Sequence, residues 1–460
     1  MLENINSILS SVSNFVWNYI LIILLLGTGI YLIIRSKAIQ FRGFKHGWQL
    51  LTGKYDDPSE KGETTHFQSL SLALAATIGT GNIAGVATAI TSGGPGALFW
   101  MWITALLGMG IKYHSCLLAQ KYRSIDENGV VSGGPAYYLT QGLKQKWLGI
   151  LFAVFTILAS FGIGNLVQAN SLSKPIFTNF NIDNDVYKFI FGLVIAFLVG
   201  LVIIGGVKRI STLASKLVPF MSVAYVLAAI VAIAVNYEKI PSAFQDIFYY
   251  AFNDVPKSAT GGFAGASVMM VIRFGVARGL FSNEAGLGSA AMAHAPAKTN
   301  EPVREGLVAM LGPFIDTIII CTMTGLVILT SGVWGTIDSS GEILSSSPLT
   351  SLAFENTLPV IGKYVVTFGL FVFAFSTLIG WAYYGDRNVR YLFNEKAAFL
   401  YKIIWIILIP IGTILEIEIV WNFSDIANAL MALPNLIGLI GLSGVVSKMT
   451  NDYLKRKNQL

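Results

Sequence analysis

The chain has 460 residues, of which 54% are hydrophobic and only 12% charged, with a mean hydropathy of +0.64. Soluble domains carry about a quarter charged residues, so this composition excludes a soluble enzyme or binding module and reads as a polytopic membrane protein embedded in a lipid bilayer. The formal net charge of +6 implies no nucleic-acid partner, because basic residues collect in the cytoplasmic loops of membrane proteins.

In chain order, the first candidate span is Phe15–Ile34. It lacks a basic leader and a small-residue cleavage site, and so reads as a retained helix and not a signal peptide. In the basic segment that comes next, Arg35–Lys61, Phe44, Trp48 and Leu51 recur at helical spacing. That pattern suits a short interfacial helix or a plain cytoplasmic connector.

Leu70–Ile90, LSLALAATIGTGNIAGVATAI, is about long enough to cross a bilayer, yet Gly79-Thr80-Gly81-Asn82 sits at its centre. Glycine weakens a helix, and the side-chain oxygens of Thr80 and Asn82 compete with the helical ladder. A broken helix frees backbone groups that cost several kcal/mol each when unpaired in hydrocarbon. A break at this depth therefore predicts a cavity that holds something, although glycine-rich helix packing is the plain alternative.

Spans over Pro95–Gln120, Leu148–Leu172, Tyr187–Val207 and Ser211–Val235 come next, then a polar, aromatic-rich loop, Asn236–Gly261. A second interrupted stretch, Phe263–Met292, is broken at Arg278-Gly279 and again across Phe281–Gly286. Spans over Glu305–Ser331, Ile361–Tyr384, Phe399–Trp421 and Asn428–Lys448 complete a set of eleven. The two SGGP runs, Ser92–Pro95 and Ser132–Pro135, read as turns that start helices, since proline suits a first helical turn. The two cysteines, Cys116 and Cys321, lie inside spans, where inert buried thiols are the rule. No Cys/His spacing indicates a metal centre.

Setting the first helix aside leaves ten spans, with the interrupted ones first and sixth. Five spans per half place the halves in opposite orientations, as an inverted repeat requires, and paired interruptions point to a secondary transporter's binding site. The expected fold is thus an all-α polytopic membrane protein of eleven transmembrane helices. Residues 1–64 hold the N-terminal helix and basic segment, 65–235 the first repeat, 236–262 an extracellular loop, 263–450 the second repeat and 451–460 a basic cytoplasmic tail. Of the 31 Lys and Arg residues, only Lys174, Lys188, Lys239, Lys257 and Lys363 fall outward when the N-terminus is placed outside, with Arg273 and Arg278 in a span and the rest, Lys112 among them, counted inward. This bias predicts an outside N-terminus and a cytoplasmic C-terminus in the plasma membrane.

In that orientation the first break presents a helix N-terminus near Gly81-Asn82, which suits a carboxylate. The second presents free carbonyls near Leu280–Ser282, which suit an ammonium group or a cation. Together they make a receptor for a zwitterion, an α-amino acid being the simplest. A channel would want a ring of equivalent groups, and a pump a nucleotide site that is not evident. Gly286-Leu287-Gly288-Ser289 lacks the triad partner that an intramembrane enzyme would need.

The runs ALAATIGTGNIAGVATAI, SGGPGALFWMWITALLGMGIKY, SFGIGNLVQANS, GLFSNEAGLGSA, FSTLIGWAYYG and LPNLIGL closely resemble the alanine or glycine:cation symporter family, the sodium:alanine symporters, over nearly the whole chain. The resemblance implies a LeuT-type five-plus-five inverted repeat with two discontinuous helices. It also implies uptake of alanine and glycine coupled to sodium, with no other cofactor. By position, Thr77, Gly81, Gln168, Phe281, Ser282, Asn283, Glu284, Thr377 and Trp381 match substrate contacts. Ala76, Gly79, Ser376 and Thr377 match a sodium site of backbone carbonyls and hydroxyls.

Other roles stay open for several of these. Thr77 has the option of bonding a carbonyl of its own helix, Gln168 a neighbouring helix, and Glu284 an ion pair with Arg278 or Arg273. Asp316 is part of an ion path or a packing hydrogen-bonder. Phe281 and Trp381 read as walls of a small pocket. A proton-coupled or exchanging transporter of the same fold is the alternative, and it turns on Glu284.

Overall fold

The computed structural model describes residues 9–457 other than 14, 58, 127–128, 181, 183, 258–264, 338–340, 342 and 416–417. The start of the predicted 263–292 stretch, parts of the 236–262 loop and the ends of the N-terminal segment and basic tail lie outside them. Among the described residues, six helices are long and apolar enough to cross a membrane, and a bent pair adds a seventh. The full count of eleven is not reached on length and composition.

In order, α1 is Ile22–Arg35, α2 Phe44–Leu51, α3 His66–Thr77 and α4 Gly81–Gly93, bent from α3 by 57°. Then come α5 (Ala97–Lys121), α6 (Lys146–Thr178), α7 (Asp185–Ile203), α8 (Gly206–Val235) and α9 (Ile240–Tyr250). The remainder are α10 (Val268–Asn283), α11 (Ser289–His294), α12 (Pro302–Ser331), α13 (Ser346–Thr357), α14 (Gly362–Leu392), α15 (Glu395–Gly412), α16 (Val420–Gly441) and α17 (Ser443–Lys457).

The centre is built from α3, α4, α10 and α11, with α5, α12 and α14 packed around them. The apolar windows of α7 and α8 are only a third buried, and Phe197, Leu201, Phe220 and Leu227 point outward. These are faces made for lipid. In contrast, 72% of the α14 window is buried, as its small, polar and aromatic mixture demands.

Several expectations are corrected. Helix α10 runs through Arg278-Gly279 unbroken to Asn283. The last two predicted spans are displaced: the chain turns after Gly412, so that Trp421 and Asn428 share α16. The 236–261 loop carries α9. On α2 the buried residues are His46, Gly47 and Leu50, because Gly47 lies against the Leu307 carbonyl of α12, so the helix packs on protein and leaves Phe44, Trp48 and Leu51 half-buried. Lys112 is buried within α5. The SGGP turns do start helices: Pro135 opens a short turn of helix, and Pro95 precedes α5 after Gly94 at φ 76°.

The end of the bundle that carries α2 and α17 is closely stitched. Lys298 N–H donates to the Thr64 carbonyl at 2.7 Å, and Glu63 N–H to the Pro296 carbonyl at 2.7 Å. Arg123 and Gln120 donate to the Ala297 carbonyl at 2.7 and 2.8 Å. Glu305 at the head of α12 bonds both His66 and His294. The residues that lead into α3 and those that leave α11 are thus joined directly.

Candidate functional site

At the first break, α3 ends at Thr77 and Ile78 turns extended (φ −72°, ψ 99°). Asn82, the fourth residue of the GTGN run, organises the passage into α4. Its Oδ1 accepts from Gly79 N–H at 2.9 Å, and its Nδ2 donates to the Asp316 carbonyl at 3.1 Å and to Asp316 Oδ1 at 2.7 Å. The first turn of α4 is π-helical, a wide turn that often accompanies functional sites. Its leading N–H groups have no carbonyl of their own helix to bond.

At the second break, Glu284 takes a left-handed conformation (φ 52°), and Gly286 and Gly288 come after it at φ 95° and 86°, which glycine adopts without strain. Glu284 Oε2 accepts from the Ser289 hydroxyl at 2.6 Å and Oε1 from the Trp381 indole N–H at 3.0 Å. Asn435 of α16 donates to the Gly286 carbonyl at 2.6 Å. The two breaks touch: a Cβ added at Gly81 would lie 3.1 Å from Ser282 Cα and 3.3 Å from the Phe281 ring.

Between them lies a cavity of about 20 Å³, room for about one water. Thr77, Gly81, Gln168, Phe281, Glu284, Thr377 and Trp381 from the predicted substrate contacts line it, together with Ala76 and Gly79. Ser282 and Asn283 do not: the Ser282 hydroxyl donates to Asp316 Oδ2 at 2.8 Å, and Asn283 to the Thr317 hydroxyl at 3.3 Å. Ser376 turns away to the Phe373 carbonyl at 2.8 Å and Met221 of α8. Thr80, Ile163, Leu287 and Asn428 complete the wall. Of these Asn428 gave no signal beyond being a lone amide at a predicted helix start.

Three buried oxygens of this wall have no partner among the described residues: Thr80 Oγ1, Gln168 Oε1 and Asn428 Oδ1. Unpaired buried polar atoms are costly, so three around one cavity mark a place built to bond something. Gln168 spends its amide N–H on the Ile163 carbonyl at 3.0 Å, and Thr77 its hydroxyl on the Ala73 carbonyl at 3.1 Å. Beside the cavity the Thr377 hydroxyl donates to the Phe373 carbonyl at 2.9 Å and lies 3.3 and 3.5 Å from the carbonyl oxygens of Ala75 and Ile78. These oxygens gather where α14 crosses the first break. The approach depends on Gly380, where a Cβ would sit 2.9 Å from the Ala76 backbone.

Glu284 pairs with neither arginine. Arg278 sits over the Phe281 ring at 5.9 Å and interacts with Asp425, and Arg273 over Phe274 at 5.4 Å. A vestibule of about 1290 Å³ opens at the end of the bundle away from α17 and is bordered by Thr80, Lys174, Glu355 and Trp421. The Trp421 ring on the vestibule wall lies 5.9 Å from the Phe281 ring of the cavity, and Thr80 borders both spaces.

The sequence matches the sodium:alanine symporter family over residues 2–460. It is 48% identical to an uncharacterized transporter of Haemophilus influenzae, covering 98% of this chain and 97% of the relative. It is 45% identical to the sodium/alanine symporter AgcS of Methanococcus maripaludis, covering 98% of both chains. Among solved structures it resembles MhsT in complex with L-phenylalanine, with a TM-score of 0.54, 13% identity and coverage of 83% of this chain and 89% of that one.

Proposed function

The chain belongs to the sodium:alanine symporter family, a family of transporters and not enzymes, and we propose that it imports a small neutral amino acid, alanine or glycine, together with sodium by alternating access. The observation that carries this reading is the trio of unpaired acceptors, Thr80, Gln168 and Asn428, around a cavity that also faces the N-terminal turn of α4. An ammonium needs acceptors and a carboxylate needs helix N–H groups, and the wall of this cavity carries both. Glu284 adds a carboxylate for the ammonium. Phe281, Trp381, Ile163 and Leu287 leave little room for a side chain.

Sodium belongs, in this reading, among the carbonyls of the first break and Thr377, since it takes several oxygen ligands of this kind. One ion suffices energetically. A tenfold gradient supplies ~1.4 kcal/mol and 100 mV another ~2.3 kcal/mol, enough to concentrate a neutral zwitterion several-hundred-fold. The two five-helix repeats, 65–235 and 263–450, face opposite ways, with the vestibule outside and α17 in the cytoplasm.

Uptake of labelled alanine into proteoliposomes tests the proposal. Accumulation driven by a sodium gradient is expected. Accumulation driven by protons alone would overturn the sodium assignment and move attention to Glu284; no uptake of alanine or glycine under either gradient would overturn the substrate.

A further inference from the structure

Glu284 holds a left-handed backbone (φ 52°) although it carries a side chain. That conformation is costly for residues other than glycine, and it persists only where the surroundings fix it from several sides. One side is local: Glu284 N–H donates to the Leu280 carbonyl at 2.9 Å, and Ala285 N–H to Asn283 Oδ1 at 2.9 Å. Another comes from α16, where Asn435 Nδ2 meets the Gly286 carbonyl at 2.6 Å. Asn435 belongs to the LPNLIGL run, no residue of which lines the cavity.

The direction of this bond follows from its chemistry. A carbonyl can only accept, so the Asn435 amide turns its N–H to Gly286 and its Oδ1 to Tyr138, which donates to it. The Tyr138 proton is then committed, and the Ser115 hydroxyl of α5, at 3.3 Å, donates to the phenol oxygen. All three side chains are buried. The chain of bonds thus runs one way, from α5 through the helical turns that Pro135 opens to the second break. Glycine permits the approach: at Gly288 a Cβ would come 2.6 Å from Pro135 Cγ and 2.9 Å from Asn435 Cγ.

We propose that Asn435 is a positioning residue for substrate recognition. By holding the Gly286 carbonyl it fixes the turn that aims the Glu284 carboxylate at the cavity, although it lies outside the cavity wall itself. Ser289 and Trp381, at 2.6 and 3.0 Å from the carboxylate oxygens, set the rotation of that side chain. Asn435 sets the backbone from which it departs. Without the amide, Glu284 is free to leave the left-handed region, and its carboxylate swings off the ammonium. The inference rests on the reading that Glu284 receives the ammonium of an amino acid.

The test is a double-mutant cycle on the binding of labelled alanine to the purified protein, in the presence of the cation that drives uptake. Asn435→Ala is expected to weaken binding about tenfold, within the range of coupling inside one hydrogen-bond network. In a Glu284→Gln background the same change is expected to cost less than about twofold, since the group being positioned has lost its charge. Equal losses in both backgrounds assign Asn435 to the general stability of the bundle and overturn the proposal. Unchanged binding in Asn435→Ala, or in Glu284→Gln, overturns it as well. Wild-type protein that binds neither alanine nor glycine overturns the functional reading instead.

If Asn435→Ala does not fold, Tyr138→Phe takes its place in the cycle. It removes one hydroxyl, frees the amide to turn over, and is expected to weaken binding by a smaller factor, again only where Glu284 is intact. If Glu284→Gln binds no alanine, amide hydrogen exchange decides, because it reports local opening. Either variant is expected to speed exchange over 284–289 and to leave the first break, 77–82, as in wild type. Unchanged exchange over 284–289, or protection lost at both breaks, overturns the proposal.

Discussion

Gln168 brings an unpaired oxygen to the cavity while its own N–H is already spent inside α6. Gln168→Ala removes an acceptor without disturbing a backbone turn. A hydrogen bond to a charged group is worth about 1.5–3 kcal/mol, so the KM for alanine should rise by about one to two orders of magnitude, with the fold unchanged by circular dichroism. Gly380 makes the opposite kind of case. A methyl group at Gly380 meets the Ala76 backbone, and overpacking of this type costs about 1–3 kcal/mol. Gly380→Ala should lower the melting temperature and weaken the dependence of uptake on sodium, because it pushes the Thr377 hydroxyl away from the first break. A sodium titration of uptake in this variant that matches wild type would remove Thr377 from the ion site.

At the scale of elements, the first break is legible because its cause is local: GTGN interrupts a helix by its own conformational chemistry. The second is misread in part, and for an instructive reason. Gly279 stands in α10 to let another helix approach, since a Cβ there would lie 2.1 Å from the Thr104 hydroxyl of α5, and close packing leaves the same letter in the sequence as a turn. The α15–α16 boundary is displaced because Ile414, Leu415, Ile417 and Ile419 alternate with Glu416 and Glu418 across it, with no Gly or Pro between Gly412 and Asn428 to mark the end of a span. Asn428 and the Asp316 cluster are illegible as a set, for they are assembled from helices hundreds of residues apart.

Asn82 joins both kinds of information. Its side chain caps the broken end of α3–α4 and holds α12. Asn82→Ala strands a buried N–H and a carboxylate oxygen, each at about 1–3 kcal/mol, and Asn82→Asp sets two carboxylates face to face. Both should lower the melting temperature in detergent, the aspartate variant more. Equal melting for Asn82→Asp and wild type would show that Asp316 does not depend on an amide donor.

On the scale of the molecule, the end near α17 is closed by backbone hydrogen bonds between 63–64 and 296–298 and by the His66–Glu305–His294 group. The alternating access proposed above would require these to part. Cysteines introduced by Thr64→Cys and Ala297→Cys, with the native Cys116 and Cys321 both buried, should abolish uptake on oxidation and recover it on reduction. Uptake that persists after complete crosslinking would show that transport does not require this end to open.

The contact between Phe281 and Trp421, where cavity and vestibule come together, has a consequence for timing. A ring pair contributes only about 0.5–1.5 kcal/mol beyond its buried area, whereas the opposite end must release several hydrogen bonds at once. In the orientation proposed above, barriers so unequal would make admission a rapid pre-equilibrium and discharge the slow step. Trimming Trp421 would then alter how readily the carrier fills while leaving its maximal turnover to be clocked at the other end.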